Sequence, residues 1–168
     1  MPEHQPTPWL TEGEQHVWRT YLAATADLQA HLDRRLRAEA GVPVAYYEIL
    51  VALSESPGGS LRMGRLADVC RASRSRLSHA VAMLESYGWV SRCATEDDGR
   101  GSVARLTDAG LAALREAAPG HVGEVRACLF DALSAEQIAA LHGIAHTLRD
   151  AVAARSGGTS PDLAARPC

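Results

Sequence analysis

The sequence has no apolar run that approaches the ~20 residues needed to cross a bilayer. Its first fifteen residues, MPEHQPTPWLTEGEQ, lack the basic and apolar regions of a secretion signal. Lysine is absent as well, and all 17 basic residues are arginine. The first two absences argue against a membrane-spanning or secreted protein, so we expect a cytoplasmic location.

Cysteine is sparse, and its spacing carries no motif. Cys70, Cys93, Cys128 and Cys168 are widely scattered and form no C-x-x-C pair. In a chain without a secretion signal, this pattern favours free thiols. A redox switch requires an accessible thiol of low pKa, whereas buried cysteines usually behave as small apolar side chains. We therefore do not expect redox sensing.

Enzyme motifs are missing too: the sequence contains no P-loop, no G-x-S-x-G and no dinucleotide fingerprint. His142 and His146 lie four residues apart, so their rings can share one helix face. The glutamate of an H-E-x-x-H motif is absent, and no third ligand is nearby in sequence. We expect a pair of interface histidines there, and we predict no enzyme activity, no metal site and no other cofactor.

The net charge of -3 conceals an uneven distribution. Between Arg62 and Arg105, eight arginines outnumber five acidic residues, which gives this segment a charge of +3. The rest of the chain carries nine arginines and fifteen acidic residues, a charge of -6. Because the local field decides where a polyanion docks, the middle of the chain is the candidate nucleic-acid surface.

Apolar periodicity predicts a mainly α chain with a small β-hairpin. The expected elements are helices at about Glu12–Ala40, Tyr46–Leu53, Arg62–Val69 and Arg74–Tyr87, strands at Trp89–Ala94 and Ser102–Leu106, and helices at Thr107–Leu133 and from Ser134 to about Ser156. Pro119-Gly120 predicts a kink in the penultimate helix. Ser134 and Gln137 predict a capping box for the last one.

The helix that follows Ser73 has two distinct faces. At 100° per residue, one narrow inward stripe contains Leu77, Ala80, Val81 and Leu84. The opposite face carries Ser75, Ser78, His79, Ala82 and Ser86, flanked by Arg74 and Arg76. A helix that enters the ~12 Å major groove needs a face without bulky or acidic side chains. Its positive N-terminal end is where recognition helices meet DNA. The alternative interpretation is an ordinary solvated surface helix.

The hairpin supplies the context for a winged helix-turn-helix: a short helix, a tight turn, a longer helix and a hairpin follow one another. Its loop contains Asp98-Gly99-Arg100-Gly101. An arginine on a slender loop can enter a minor groove, where the negative potential is strongest. A neighbouring acid can hold the guanidinium in place. The alternative is a plain turn in which Arg100 is solvated.

This arrangement resembles the MarR family of bacterial regulators. The resemblance lies in LADVCRASRSRLSHAVAMLESYGWVSR (66–92), DGRGSVARLTDAG (98–110), APGHVGEVR and LSAEQIAAL, and it covers about Gly13 to Arg155. It implies one MarR-like domain at about 12–155. In that domain, dimerisation helices at about 12–40 and 108–155 form a platform for a winged helix-turn-helix at about 45–107. We expect a flexible N-terminus at 1–11 and a disordered tail at 156–168.

By position, the resemblance implies DNA contacts by Ser73, Arg74, Ser75, Ser78 and His79, and Arg100 matches the wing arginine. Arg76, which flanks the same face, completes the predicted DNA-binding set. The family often has Asp-Arg-Arg at the wing. Gly99 replaces the middle arginine here, and this substitution puts the affinity of the wing in question.

The resemblance also suggests a small aromatic or phenolic ligand bound between the platform and the winged module. The candidate lining is Trp18, Tyr21, His31, Tyr46 and Tyr47. Aromatic faces with a few polar tips suit an amphipathic aromatic ligand. The alternative is that these aromatic rings simply fill the seam between helices.

The sequence therefore predicts a homodimeric, sequence-specific transcriptional regulator that binds double-stranded DNA. Repression is expected, because a dimer that covers promoter DNA excludes polymerase without contacting it. Two-fold symmetry predicts an inverted-repeat operator with half-site centres ~10 bp apart, or a multiple of that distance. The alternative is a ligand-binding or antirepressor protein that keeps the fold without DNA binding, which the net charge of -3 and the altered wing support.

Overall fold

A computed structural model describes residues 8–94 and 102–156, with the side chain of Ser156 left out. The described part contains six α-helices and three short strands. In chain order they are α1 (Glu12–Ala40), α2 (Val44–Ser54), β1 (Ser60–Arg62), α3 (Met63–Val69), α4 (Arg74–Ser86), β2 (Val90–Ala94), β3 (Ser102–Leu106), α5 (Asp108–Val125) and α6 (Ala135–Ser156). Most of the expected flexible N-terminus and tail, and the hairpin loop, lie outside the described residues.

Helix α1 has both of its predicted ends. The Thr11 hydroxyl accepts a hydrogen bond from Glu14 N, and the Glu14 carboxylate accepts one from Thr11 N at 2.7 Å, which together form a capping box. At the other end Gly41 adopts φ 68°, a left-handed conformation that glycine reaches without strain. These 29 residues make a helix about 43 Å long.

The sheet has three antiparallel strands in the order β1-β3-β2. The predicted hairpin pairs Val90 with Leu106, and β1 adds Ser60 opposite Arg105 on the other edge of β3. Strand β1 was not predicted, because three residues are too few to show an alternation of apolar and polar side chains. Its strand conformation depends on pairing with β3.

The buried core lies where α2, α3 and α4 pack on β3 and α5. The largest fully buried side chains are Leu50, Leu53, Leu66, Leu77, Leu84 and Val81. In α1 the buried residues are Leu32 and Leu36, both in its C-terminal half. The N-terminal half of α1 therefore projects from the core.

The C-terminal region differs from prediction in one respect. Instead of one α-helix to Leu133, α5 ends at Val125 and continues as a π-helical turn over Arg126–Phe130. Pro119 lies inside α5 without ending it. The capping box before α6 is confirmed: Ser134 N donates to Gln137 Oε1 at 2.9 Å, and Gln137 N donates to Ser134 Oγ at 3.3 Å.

Within 8–94 and 102–156, no helix combines the length and the apolar character that crossing a membrane would require.

Candidate nucleic-acid interface

The turn between α3 and α4 is short and closely hydrogen-bonded. Cys70 N donates to Leu66 O at 2.9 Å, and Ala72 N donates to Ala67 O at 3.0 Å. Arg71 adopts φ 50°, the left-handed conformation that L side chains rarely take. This residue turns the chain between the two helices, so the direction of α4 depends on it.

Helix α4 begins at the predicted cap. The Ser73 hydroxyl accepts a hydrogen bond from Arg76 N at 3.3 Å, which satisfies one free amide of the first turn. No acidic residue lies in that turn, and the side chains of Ser73, Arg74 and Arg76 are exposed. The positive end of the helix dipole therefore lies between two exposed arginines, Arg74 and Arg76, which project from different sides of the first turn.

The two faces of α4 are oriented as the periodicity predicts. Leu77 is 1% exposed, and Val81 and Leu84 are 0% exposed. The residues on the other side, all exposed, are Ser75, Ser78, His79, Ala82 and Ser86. This face is unobstructed by the described residues of its own chain, so it is geometrically available to a groove.

Glu85, the acidic residue of α4, forms an ion pair with an arginine of the sheet. Arg92 of β2 donates from Nε to Glu85 Oε2 at 2.7 Å, and both side chains are about 30% exposed. The pair reduces the repulsion that Glu85 would exert on a phosphate backbone. Arg100, the predicted wing arginine, lies within 95–101 and outside the described residues.

A concave surface between α3, α4 and the sheet was missed by sequence reasoning. Its volume is about 520 Å³, and its polar lining residues are Arg62, Arg65, Arg74, Arg92, Ser78 and Ser102. Among the described residues that line it, none is acidic. The only sequence signal was the excess of arginine between Arg62 and Arg105; which arginines converge depends on the tertiary structure.

Comparison with known proteins assigns a family to this geometry. A family model described as MarR family matches residues 40–101. The structure is similar to that of Sco3205, a MarR family transcriptional regulator from Streptomyces coelicolor in complex with DNA, with 49% identity and a TM-score of 0.82 over 86% of this chain and 91% of that one. This chain belongs to the MarR family of transcriptional regulators.

Two further structures are similar to this one. AbsC, another MarR family regulator from Streptomyces coelicolor, is 42% identical with a TM-score of 0.76, over 86% of this chain and 99% of that one. A mutant of MarR from Escherichia coli, complexed with operator DNA, is 19% identical with a TM-score of 0.70 over 79% of this chain and 92% of that one; it shares the fold. A comparison with curated proteins gives no match.

This MarR-family protein also has a cavity of about 340 Å³ between its long helices and the helix-turn-helix. The cavity is lined by Gln29, Leu32, Val44, Tyr47, Glu48, Val51, Ala52, Glu55, Val69, Cys70, Arg71 and His121. The rings of Tyr47 and His121 lie 4.6 Å apart between centroids. His121 Nδ1 is buried and has no hydrogen-bond partner within the described chain, so it offers a polar group to an occupant.

Burial dominates the protonation of the groups that line this cavity. It raises the pKa of Tyr47 and of Glu48, and the charge of Arg71 opposes the shift at Glu48. It lowers the pKa of His121. Burial, and secondarily the charge of Glu48, raise the pKa of Cys70 to about 11. This thiol is therefore held protonated, which is the opposite of what a redox sensor requires.

The five aromatic residues predicted to bind a ligand do not meet in this cavity. Tyr47 lines it, whereas Tyr46 packs partly buried against the core. Trp18 and Tyr21 stack on each other with ring centroids 6.3 Å apart and remain about half exposed. His31 Nε2 lies 2.7 Å from Glu124 Oε2. The residue that sequence reasoning missed is His121, which lies 74 positions beyond Tyr47 and shares no local pattern with it.

Proposed function

We propose that this protein is a sequence-specific repressor that binds an inverted-repeat operator as a homodimer. The observation that carries the proposal is the exposed outer face of α4, with Ser75, Ser78 and His79 turned away from a buried stripe. Small polar side chains on that face leave room for base edges in the major groove. The DNA complex of Sco3205, at 49% identity, supports it.

The arginines divide into two proposed roles. Arg74 and Arg76 lie at the N-terminal end of α4, where a guanidinium can reach guanine O6 and N7. Arg62 and Arg65 line the concave surface beside the helix, where contact with a phosphate strand is the simpler role. Positioning contacts then come from the concave surface, and base recognition comes from α4.

The dimer is proposed from the apolar surface that one protomer leaves uncovered. On α6, Leu141, Ile144 and Leu148 are 40–57% exposed, and on α1, Trp18 and Leu22 are 52% and 44% exposed. Across the described ranges, α6 makes no extensive contact with another element. A second copy is the natural cover for such a surface, since large contiguous apolar patches are rare on soluble monomers.

A small aromatic effector is proposed for the 340 Å³ cavity, which falls in the usual size range for ligand pockets. Apolar side chains from α1 and α2 would face a ring, while His121, Gln29 and Arg71 offer polar contacts. Arg71 belongs to the turn that directs α4. An occupant that moved Arg71 would therefore alter the orientation of the recognition helix.

The decisive experiment selects bound DNA from a random pool with the purified full-length protein. We expect one enriched inverted repeat, bound with an affinity that falls steeply as salt increases. Bound fragments that share no sequence would contradict specific recognition. If no DNA is retarded near physiological salt, the ligand-binding alternative replaces the repressor.

A further inference from the structure

Three potential metal ligands from distant parts of the chain converge beside the platform helices. They are His31 on α1, Glu124 near the end of α5 and Cys128 in the π-helical turn. One ligand atom from each lies within 4.8 Å of the other two. His31 and Glu124 are half-buried, and Cys128 is exposed, which leaves an entry path from solvent.

Helical spacing brings these three ligands together with one supporting residue, Arg35. His31 and Arg35 project from the same side of α1, and Glu124 and Cys128 lie four apart across the junction of α5 and the π-helical turn. The Glu124 carboxylate contacts both His31 and Arg35: Oε2 lies 2.7 Å from His31 Nε2, and Oε1 accepts a hydrogen bond from Arg35 Nε at 2.8 Å. Single-turn π-helical insertions are frequent at functional sites.

We propose that His31 Nε2, Glu124 Oε2 and Cys128 Sγ bind one Zn²⁺ ion, with water in the fourth position. Imidazole, carboxylate and thiolate are the three side-chain ligand types that zinc uses, and three protein ligands plus water form a standard tetrahedral site. With bonds of about 2.0–2.3 Å, tetrahedral ligand atoms lie about 3.5 Å apart. The pairs that include Cys128 Sγ, which lie within 4.8 Å, therefore have to contract by about 1.3 Å at most. The 2.7 Å contact between His31 Nε2 and Glu124 Oε2 has to open by about 0.8 Å to admit the ion.

The neighbouring groups suit this chemistry. Binding converts the Cys128 thiol to a thiolate and releases its proton to solvent. The hydrogen that His31 Nε2 shares with Glu124 Oε2 is lost from this contact, so that His31 binds as the tautomer that carries its hydrogen on Nδ1. Arg35 keeps its hydrogen bond to Glu124 Oε1 and orients the carboxylate from outside the coordination sphere. The ion would join α1 to α5 through residues 93 positions apart in sequence. His142 and His146, with ring centroids 4.5 Å apart, supply two ligands only.

Cobalt(II) titration of the full-length protein, kept reduced with a phosphine, tests the site directly. We expect one Co²⁺ per chain, with strong visible bands that indicate tetrahedral geometry and a near-ultraviolet band that indicates thiolate ligation. Added Zn²⁺ should abolish both, because zinc binds such sites more tightly than cobalt. Absence of saturable binding, or octahedral cobalt without a thiolate band, would overturn the proposal.

Variants identify the ligands. Cys128→Ser should remove the thiolate band, and both Cys128→Ser and His31→Gln should weaken metal binding by at least about 100-fold, more than loss of an outer partner does. Cys93→Ser and His142→Gln are the matched controls and should bind as the wild type does. Circular dichroism establishes that each variant is folded. Binding that survives Cys128→Ser but is lost in His142→Gln would place the metal on α6 and refute the assignment.

Discussion

Gly110 of α5 lies directly against the backbone of Trp89: a Cβ atom at Gly110 would stand 2.1 Å from the carbonyl oxygen of Trp89. The same oxygen accepts a hydrogen bond from Thr107 N at 3.1 Å, and the Thr107 hydroxyl donates to Gly88 O at 2.7 Å. Residues 107 to 110 therefore fasten the start of α5 to the turn that ends α4. Helix α5 and the hairpin meet at this junction.

Replacing Gly110 should loosen that junction. Gly110→Ala forces the backbone of Trp89 to move, and such overpacking typically costs about 1–3 kcal/mol. Gly123→Ala is the control: it lies in the same helix, and a Cβ added there would have nothing within 4 Å, so alanine should stabilise the helix by up to about 1 kcal/mol. Urea unfolding at one protomer concentration measures both. Equal effects of the two variants would contradict the proposed contact.

The two proposed classes of arginine should respond differently to truncation. Arg74→Ala should cost about 1–3 kcal/mol of binding and relax selectivity at one base pair, as expected for a guanine contact. Arg62→Ala should weaken binding to all sequences and reduce the slope of log K against log salt by about 1. Fluorescence anisotropy across a salt series, with operator variants, distinguishes them.

Arg115→Ala, an exposed arginine on α5, is the control for charge loss alone. If it reduces DNA affinity as much as Arg74→Ala does, the effect is one of total charge, and the assignment of roles fails.

A charge on α6 should separate the protomers. Ile144 is 57% exposed in one protomer, so Ile144→Glu leaves the fold of the chain intact but buries an unpaired carboxylate wherever a second copy covers it. Because symmetry places the change on both sides, we expect the dimer dissociation constant to rise at least about 100-fold, a loss of about 2.7 kcal/mol. Sedimentation velocity across a concentration series measures it.

Ala112→Glu, at an exposed alanine of α5, introduces the same charge outside the apolar surface and should remain dimeric. A wild-type protein that sediments as a monomer at high concentration would overturn the homodimer.

Cys70 should resist alkylation in the folded protein. With its pKa raised from 9.0 to about 11, the thiolate fraction at neutral pH falls about 100-fold, and thiolate is the reactive form. Timed iodoacetamide labelling of the metal-free protein, followed by mass spectrometry, should show Cys93 and Cys128, both exposed, reacting well before Cys70. In urea the three rates should converge. Fast labelling of Cys70 in the native state would reopen the redox interpretation.

The partly buried His121 should make stability fall on the acidic side of neutrality. Burial lowers its folded pKa below the ordinary value of 6.5, so the unfolded chain binds the proton first. The part of the folding free energy that depends on neutral His121 is fully present above about pH 6.5, and it is lost as the pH falls through the folded pKa. His121→Phe keeps a ring beside Tyr47 and should flatten this decline. His16→Gln, at an exposed position, should follow the wild-type profile of unfolding free energy against pH.

Some elements were predictable because their signals are local. A capping hydroxyl at Ser73 and apolar side chains at 100° intervals sufficed to predict both the start of α4 and its buried stripe. The strand β1 and the π-helical turn were not predictable, because neither is stabilised within its own few residues. β1 depends on pairing with β3. The change from α-helix to π-helical turn after Val125 leaves no mark in the spacing of apolar residues.

Local chemistry along the chain determined where the helices begin and end and which side of α4 faces outward, since backbone capping and helical periodicity act over a few residues. Only the tertiary structure decided that Arg62 and Arg92 share one concave surface, that Tyr47 faces His121, and that His31 meets Glu124 and Cys128. Those encounters join segments tens of residues apart, and their geometry is set by how whole helices pack on one another.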